Sequence, residues 1–410
     1  MSRHQPCSWG GFVQRAGVVA CMSMVMLGCS SPKADHGAAP GEYAFWPVLP
    51  ADPHVQYLRS FRSSLDVSPG RESAFSRLVF GENNESAAAI LKPYGVEMRA
   101  GRIYVCDSRA NALTVLDLEK QQMRLVGVTG FNQVSNPVDV AVADDGMIYV
   151  ADNERGGVLV FDREERFARA IGHDGLRPVG LEVHGDRLYV CNLAAQTVEI
   201  FDRHTGEAIG AFGGPGDEDG QFRVPLGIDI DKDGFVYVCD MMRCRLQKFT
   251  PDGELVGAVG ALGDVAGSFS RPKQIAVDDD GIVYVVDASF NNVQMFNADF
   301  ELLMAFGAAG TFPGAMNLPA GICVTSDSTS YFKDFAHPGF EISKVVLVTN
   351  QFGASKIAAY AFGSRREGWT VADLSSSSID VSAGVGINPE AARLQIPADA
   401  VDPELDDERP

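Results

Sequence analysis

Four carboxylates stand at matched places in segments of this chain that share one pattern. Glu97, Glu182 and Asp229 each follow a proline by four residues, and Asp139 follows another proline by two. Each lies in a short apolar run of strand type, in which alternate side chains share a face. If these strands line one channel, their oxygens converge, and oxygen-rich rings suit Ca²⁺. The sequence therefore predicts a cation site at Glu97, Asp139, Glu182 and Asp229, with solvation by water or pairing with Lys and Arg as the alternative.

Charged residues of both signs mark the ends of the same segments. Basic side chains precede the prolines: Lys92, Arg177, Arg223 and Arg271. Acidic side chains end a second, tyrosine-containing run: Asp107, Asp152, Asp240 and Asp287. If the two runs pair as antiparallel strands, the start of the first and the end of the second meet at one face. This predicts a charged mouth that binds a ligand or partner; alternatively, each aspartate satisfies the backbone of the following turn.

Sharper signatures of catalysis are absent from the sequence. It contains no Cys-x-x-Cys, no Cys-x-x-Cys-His, no paired-histidine zinc spacing and no Gly-x-Ser-x-Gly. The glycine-rich stretch at residues 213–216 lacks the following helix that a phosphate-binding loop needs. No catalytic residue is therefore predicted.

The elements that position these residues recur along the chain. A phrase of the type Val-Tyr-Val-x-Asp is centred on Tyr104, Tyr149, Tyr189, Tyr237 and Tyr284, so the spacing is 40 to 48 residues. A proline and a short apolar run precede each phrase, and Asp-Gly turn signals such as residues 144–146 separate the two. Two further short runs of strand type follow each tyrosine phrase. Four short strands per unit, with no helical period, predict an all-β fold of propeller blades.

This pattern resembles the NHL repeat of six-bladed β-propellers. The resemblance runs from Pro93 to Gly363 and rests on Pro-x-Gly-Ile-x-Val followed by Val-Tyr-Val-x-Asp. It implies a six-bladed propeller, a fold that hosts many unrelated functions. The peptide-amidating lyase that shares this framework binds zinc through three histidines, and the corresponding places here hold Val, Gly, Lys or Ala. The sequence therefore does not predict the lyase activity for this chain.

The sixth unit differs from the others in two ways. It lacks a fourth strand, and the strand-like run Val55 to Phe61 upstream of the first blade has no unit of its own. We therefore expect an N-terminal strand to complete the last blade, which removes an unpaired sheet edge. The unit also contains an insertion with Tyr331, Phe335 and Phe340. These aromatics predict a docking loop for a partner; otherwise the loop packs on its own blade or plugs the channel.

The two ends of the chain indicate export. Residues 1–28 have the charge and apolar stretch of a secretory signal and end before Cys29 in a sequence that resembles a bacterial lipobox. The resemblance implies a lipidated Cys29. Residues 29–53 then form a flexible tether, residues 54–363 the propeller, and residues 364–410 a disordered acidic tail. We expect a location in the bacterial cell envelope, at the outer membrane.

The overall charge limits the partners. The net charge of −20 at pH 7 argues against nucleic acid, whose phosphates demand basic surfaces. The leading hypothesis is a monomeric, lipid-anchored platform that binds an envelope protein or ligand without catalysis, as an accessory to an envelope or electron-transfer assembly. Such a platform needs no cofactor. The alternative is an envelope lyase or hydrolase that uses Ca²⁺ bound in the channel.

Overall fold

The computed structural model describes residues 43–68, 88–130, 133–375 and 378. They form an all-β, six-bladed propeller, in which every blade is an antiparallel sheet. The predicted signal sequence, Cys29 and most of the tether and tail lie outside the described residues. Within the described part, no helix has the length and apolar character needed to cross a bilayer.

The first five blades each contain four strands in chain order. The N-terminal strands are β1 (Phe45–Trp46) and β2 (Val55–Phe61). Blade one is β3 (Pro93–Arg99), β4 (Arg102–Asp107), β5 (Ala112–Asp117) and β6 (Gln122–Val126). Blade two is β7 (Pro137–Val142), β8 (Ile148–Asp152), β9 (Gly157–Phe161) and β10 (Phe167–Ile171). Blade three is β11 (Pro178–His184), β12 (Arg187–Asn192), β13 (Thr197–Asp202) and β14 (Ala208–Gly213).

The remaining blades follow the same order. Blade four is β15 (Pro225–Ile230), β16 (Val236–Asp240), β17 (Arg245–Phe249) and β18 (Leu255–Val259). Blade five is β19 (Pro272–Val277), β20 (Val283–Asp287), β21 (Asn292–Phe296) and β22 (Leu302–Phe306). Blade six begins with β23 (Pro319–Thr325), β24 (Phe340–Asn350) and β25 (Ile357–Arg365), and a short helix, α1 (Val371–Ser375), follows.

The strand Val55–Phe61 closes the ring as predicted, although it is not the outermost strand of its blade. β2 pairs antiparallel with β25, from Val55 opposite Phe362 to Phe61 opposite Ile357. β1 pairs with the outer side of β2, so blade six has five strands rather than four. The inner strands contact each other in the order of the blades, and β23 of blade six contacts β3 of blade one. The chain therefore joins its two ends within one sheet.

Two boundaries differ from the sequence-based assignment. Residues 43–53, assigned to the tether, include the buried side chains of Phe45 and Trp46, each 2% exposed. Residues 364–375, assigned to the tail, include Leu374, which is fully buried in the same core cluster as Phe45. Alternating polarity could not mark these segments as part of the fold, because their buried side chains do not follow the period of a strand.

The hydrophobic core lies between neighbouring blades. One cluster joins Tyr104 and Val115 of blade one to Val140, Val150 and Phe161 of blade two. The tyrosines of the repeated phrase fill the core between neighbouring blades, and those of blades two to five are at most 1% exposed. All five cysteines among the described residues, including Cys106, Cys191 and Cys239 in the same slot of three blades, are buried and free.

Candidate functional site

A cavity of about 460 Å³ lies among the inner strands, at the propeller axis. Its walls come from β3, β7, β11, β15, β19 and β23, and it opens where these strands end and the first hairpin of each blade begins. We call this the hairpin face, and the opposite side, where the same strands begin, the proline face. Glu97, Asp139, Glu182 and Asp229 all line the cavity. The structure thus brings the four predicted carboxylates together.

Glycine allows the inner strands to approach each other. In four blades the second residue after the proline is Gly95, Gly180, Gly227 or Gly321. A Cβ atom at Gly180 would lie 2.1 Å from the carbonyl oxygen of Leu226, and one at Gly321 would lie 2.2 Å from that of Tyr94. Because backbone atoms cannot yield at these distances, the position admits only glycine in these blades.

The other two blades place polar side chains at this position, and these meet at the axis. Blade two has Asp139 and blade five has Gln274. Blades two and five lie opposite each other in the ring, and Gln274 Nε2 donates a hydrogen bond to Asp139 Oδ2 over 3.0 Å. This bridge crosses the channel. Two residues further along, where other blades have acidic residues or Cys323, blades two and five have Ala141 and Ala276.

Sequence reasoning missed Gln274, although a signal was present. Four of six repeats have glycine at this position, and the two exceptions are separated by three repeats, which places them on opposite sides of a six-membered ring. An aspartate and a glutamine facing each other can form a hydrogen bond. The absence of glycine at this position in blades two and five therefore indicated a polar contact across the axis.

Backbone amides hold three of the carboxylates in place. Asp139 Oδ2 also accepts a hydrogen bond from Leu181 N of blade three, at 3.1 Å. Asp229 Oδ2 accepts one from Val277 N of blade five, at 2.6 Å. Glu182 Oε1 accepts one from the adjacent Val183 N, at 2.8 Å. The first two bonds join neighbouring blades, the third lies within β11, and all three fix the positions of the acids.

Burial raises the pKa of Glu97, Asp139, Glu182 and Asp229, and repulsion by neighbouring carboxylates adds to the shift at Glu97, Glu182 and Asp229. Burial, followed by the charge of Asp229, raises the pKa of Glu97 from 4.5 to about 8. Burial raises the pKa of Asp139 to about 7 and that of Asp229 to about 7, although hydrogen bonds oppose both shifts. Burial and the charges of Asp229 and Glu97 also raise the pKa of Glu182 well above its ordinary value. At neutral pH the cavity therefore holds protons that a cation can displace.

The carboxylates surround the cavity without forming a compact metal cage. Among the described residues, no group of three or more His, Cys, Asp or Glu side chains comes close enough to hold a metal ion. The acids come from blades one to four and are spread around the axis. They can surround a group larger than a single ion.

Charges of both signs form the rim of the cavity at the hairpin face. Arg99 pairs with Asp144 of the next blade. Arg203 pairs with Asp145, with Nη1 and Oδ2 2.8 Å apart. The lining also includes His184, Asp186, Lys232 and three further acids, Asp231, Asp278 and Asp279. Because adjacent blades supply the partners, the pairs connect the blades around the rim. Among the residues that the structure describes, no ion pair involves Glu97, Asp139, Glu182 or Asp229.

The predicted charged mouth lies at the other end of the axis, and its aspartates have a structural role. Asp107, Asp152, Asp240 and Asp287 have no exposed surface. Asp107 accepts hydrogen bonds from the backbone amides of Leu91, Lys92, Arg109 and Ala110. The other three bind the equivalent turns. The structure thus agrees with the alternative given above, in which each aspartate accepts hydrogen bonds from the backbone amides of the following turn. Their oxygens are therefore not available to a partner.

The basic residues of that mouth are exposed. Lys92, Arg177, Arg223 and Arg271 all lie at the proline face with accessible side chains. Arg223 pairs with Asp217, with Nε and Oδ1 2.8 Å apart. Of the predicted mouth residues, only the basic ones are thus exposed, and the acid-lined cavity opens at the opposite face.

The aromatic insertion of blade six packs mainly on the propeller. Phe340 is 1% exposed and begins β24, where its ring lies 5.9 Å from that of Phe45. Phe335 is half-buried, with the Arg59 guanidinium 4.4 Å from its ring centre. Tyr331, at 36% exposed, is the accessible member of the predicted docking set. The contacts favour packing on the blade over docking for Phe335 and Phe340.

Replacing Phe335 by alanine tests this assignment. We expect the free energy of unfolding to fall by about 2 kcal/mol, because the change removes a half-buried ring and its contact with Arg59. Urea denaturation measures the loss. Tyr331→Ala is the matched control, since its ring is more exposed. A Phe335→Ala protein of unchanged stability would favour the docking role instead.

Comparison with known proteins identifies similar folds. A streptogramin B lyase is 14% identical, with a TM-score of 0.47, and the match covers 66% of this chain and 94% of that one. Virginiamycin B lyase from Staphylococcus aureus is 10% identical, with coverage of 66% and 95% and a TM-score of 0.47. Hydrazine synthase from Kuenenia stuttgartiensis is 13% identical, with coverage of 66% and 95% and a TM-score of 0.46. No family model matches this chain. No curated protein matches it either. At this level of similarity the matches assign no activity.

Proposed function

We propose that this protein is a non-enzymatic binding platform whose axial cavity receives a basic side chain of a partner protein. The observation that carries the proposal is the cavity itself. It is open at the hairpin face and lined by Glu97, Asp139, Glu182 and Asp229. Propellers commonly bind ligands in such axial sites, and a concave pocket with a few converging polar groups is the expected form of a binding site.

Electrostatics favours a cationic ligand. The four acids repel one another and are partly protonated near neutral pH, as the raised pKa values of Glu97, Asp139 and Asp229 indicate. An ammonium or guanidinium group would relieve this repulsion and make charge-assisted hydrogen bonds. Binding would displace protons, so affinity should increase as the pH rises from 6 to 9.

The geometry suits an organic cation better than Ca²⁺. Calcium takes six to eight oxygen ligands at about 2.3–2.6 Å. Within the described chain no three candidate ligands lie that close together. A lysine or arginine side chain instead reaches into a cavity and donates hydrogen bonds in several directions. The calcium-dependent lyase or hydrolase remains the rival, and the experiment below separates the two.

The cellular setting is part of the proposal. The lipobox-like sequence before Cys29 would anchor the protein to a membrane, and we propose the outer membrane of a bacterial envelope. The partner is then an envelope protein. Its basic side chain would also be attracted by the net charge of −20 of the whole chain. One propeller provides a complete cavity, so a monomer is sufficient.

The test is a titration of the full-length protein with an acetylated, amidated Gly-Lys-Gly peptide. We expect Glu182→Gln combined with Asp229→Asn to weaken binding about tenfold or more, because both acids line the cavity and hydrogen bonds to charged groups contribute about 1.5–3 kcal/mol. Isothermal calorimetry at pH 8 measures the affinity.

Three controls complete this experiment. Glu207→Gln removes an exposed carboxylate from blade three and should leave the affinity unchanged. The same peptide with norleucine in place of lysine should not bind. Calcium chloride replaces the peptide in a third titration. Tight Ca²⁺ binding that the double variant abolishes, with no response to the lysine peptide, would favour the metal-dependent enzyme over the platform.

A further inference from the structure

A buried lysine lies at the opposite end of the axis from the acid cavity. Lys273 directly follows the proline that begins β19, and it is 4% exposed. Its Nζ lies 5.3 Å from the centre of the Tyr94 ring in blade one. Because blades one and five are not neighbours in the ring, this contact places the ammonium group near the axis at the proline face.

The ammonium group of Lys273 has no acidic partner within the described part of the chain. Its one hydrogen bond runs to Gln351 Oε1 and is long, at 3.4 Å. Burial and the charges of Arg271 and Lys92 lower the pKa of Lys273 from 10.5 to about 8. A charge that is removed from water without a counter-ion is unfavourable. The fold therefore maintains a local excess of positive charge here.

A buried amide next to Lys273 also has an unused donor. Gln351 is 6% exposed, and its Nε2 has no hydrogen-bond partner among the residues that the structure describes. Its Oε1 is the atom that contacts Lys273, so the free amide hydrogens lie on the same side chain. Buried donors are normally satisfied in folded proteins. A free amide donor beside an ammonium group that has no acidic partner is the arrangement expected of an anion site.

Further positive charge surrounds this pair. Lys356 Nζ donates a hydrogen bond to the carbonyl oxygen of Gln351 over 3.2 Å. Lys92 and Arg271 are exposed on the same face and lie close enough to affect the titration of Lys273. No ion pair involves Lys92, Arg271, Lys273 or Lys356 among the residues that the structure describes. In a chain of net charge −20, such a group of unpaired bases is unusual.

We propose that Lys273 Nζ and Gln351 Nε2 form the inner donors of a binding site for a phosphate-class oxyanion, with Lys92, Arg271 and Lys356 around it. The oxyanion accepts hydrogen bonds from both inner donors and neutralises the buried ammonium group. Its source is either a free phosphate monoester or the phosphodiester headgroup of an anionic lipid. The site is at the proline face and does not depend on the proposed function of the acid cavity.

The test is calorimetric titration of the full-length protein with inorganic phosphate and, separately, with glycerophosphoglycerol, the water-soluble phosphodiester headgroup of phosphatidylglycerol. The wild-type protein should bind one of these probes. Lys273→Met should weaken that binding at least tenfold, because it removes the charged donor and keeps a side chain of similar length. Binding of phosphate alone identifies a monoester site, and binding of the diester identifies a lipid-headgroup site.

Two further variants keep the result interpretable. Gln351→Leu removes the second donor without changing the charge and should weaken binding about three- to tenfold. Lys120→Met makes the same charge change at an exposed position, where the side chain is 59% accessible, and should leave the affinity within twofold. The proposal is wrong if the wild-type protein binds neither probe, or if Lys273→Met and Lys120→Met bind equally well.

Discussion

The Glu97→Gln protein is expected to be more stable than the wild type at pH 8 and nearly equal to it at pH 5. The cause is the environment of Glu97 in the cavity, where burial and the charge of Asp229 raise its pKa from 4.5 to about 8. Glutamine has nearly the same shape and carries no charge. The substitution therefore removes an unfavourable ionisation and keeps the packing.

The direction of this effect follows from proton linkage. The folded protein holds the proton of Glu97 more tightly than the unfolded chain does. Its contribution to stability is therefore complete below about pH 4.5, decreases as the pH rises, and reaches its lowest value above about pH 8. Each pKa unit corresponds to about 1.4 kcal/mol. Glu97 still reaches water in the cavity, so we take about half of the full shift, or about 2 kcal/mol at pH 8.

Urea denaturation at the two pH values measures this difference. Glu207→Gln, an exposed substitution in blade three, is the control and should follow the wild-type pH profile. The wild-type protein itself should lose stability from pH 5 to pH 8, since Asp139 and Asp229 also have raised pKa values of about 7. Equal stabilities of Glu97→Gln and wild type at pH 8 would mean that the cavity solvates Glu97 as well as bulk water does.

The pH profile also separates stability from binding. A cation in the cavity stabilises the ionised carboxylates, so it should act most strongly in the pH range where the unliganded protein is weakest. The same repulsion that reduces stability therefore becomes the source of affinity. This is the expected relation for a site in which charged groups are held together before the ligand arrives.

The fold was predictable because its signal is repeated. Five of the six blades carry the same proline, turn and tyrosine phrase, so an error in one unit is corrected by the others. The missing fourth strand of the last blade and the unassigned run at Val55 to Phe61 together indicated the closure, which the pairing of β2 with β25 confirms. β1 was not predicted, because a strand of two residues is too short to show an alternation of apolar and polar side chains.

The site was predictable only in part. The position of Glu97, Glu182 and Asp229 along the inner strands follows from the alternation of side chains on a strand. The sequence does not show whether a polar residue faces a ligand or binds its own backbone. Asp107 and Asp287 illustrate this, because an aspartate at the end of a strand can bind a ligand or hold a turn. The Asp139–Gln274 bridge and the Lys273–Tyr94 contact join residues from blades that are distant in sequence. Only the closed ring brings them together.

The largest effect on stability should come from removing the closure. Deleting residues 50–62 eliminates β2 and leaves β1 without its partner. Val55, Leu58 and Phe61 are at most 1% exposed in this strand, and each buried side chain of this size contributes about 1.5–3 kcal/mol. The total approaches the whole stability of a typical protein, about 5–15 kcal/mol. The edge of β25 would also be left unpaired. We expect this variant to lose cooperative unfolding at 25 °C, as measured by circular dichroism during urea titration.

Point substitutions in β2 provide a graded form of the same test. Leu58→Ala removes a fully buried side chain from the core between blades six and one and should cost about 2–5 kcal/mol. Ser60→Ala, two residues further along and half-buried, should change stability by less than about 0.5 kcal/mol. Because both variants keep the full chain length, a difference between them reports the packing of β2 rather than the shortening of the chain. If Leu58→Ala and the deletion both unfolded at the wild-type urea concentration, β25 would be a stable edge and the ring would not need its N-terminal strand.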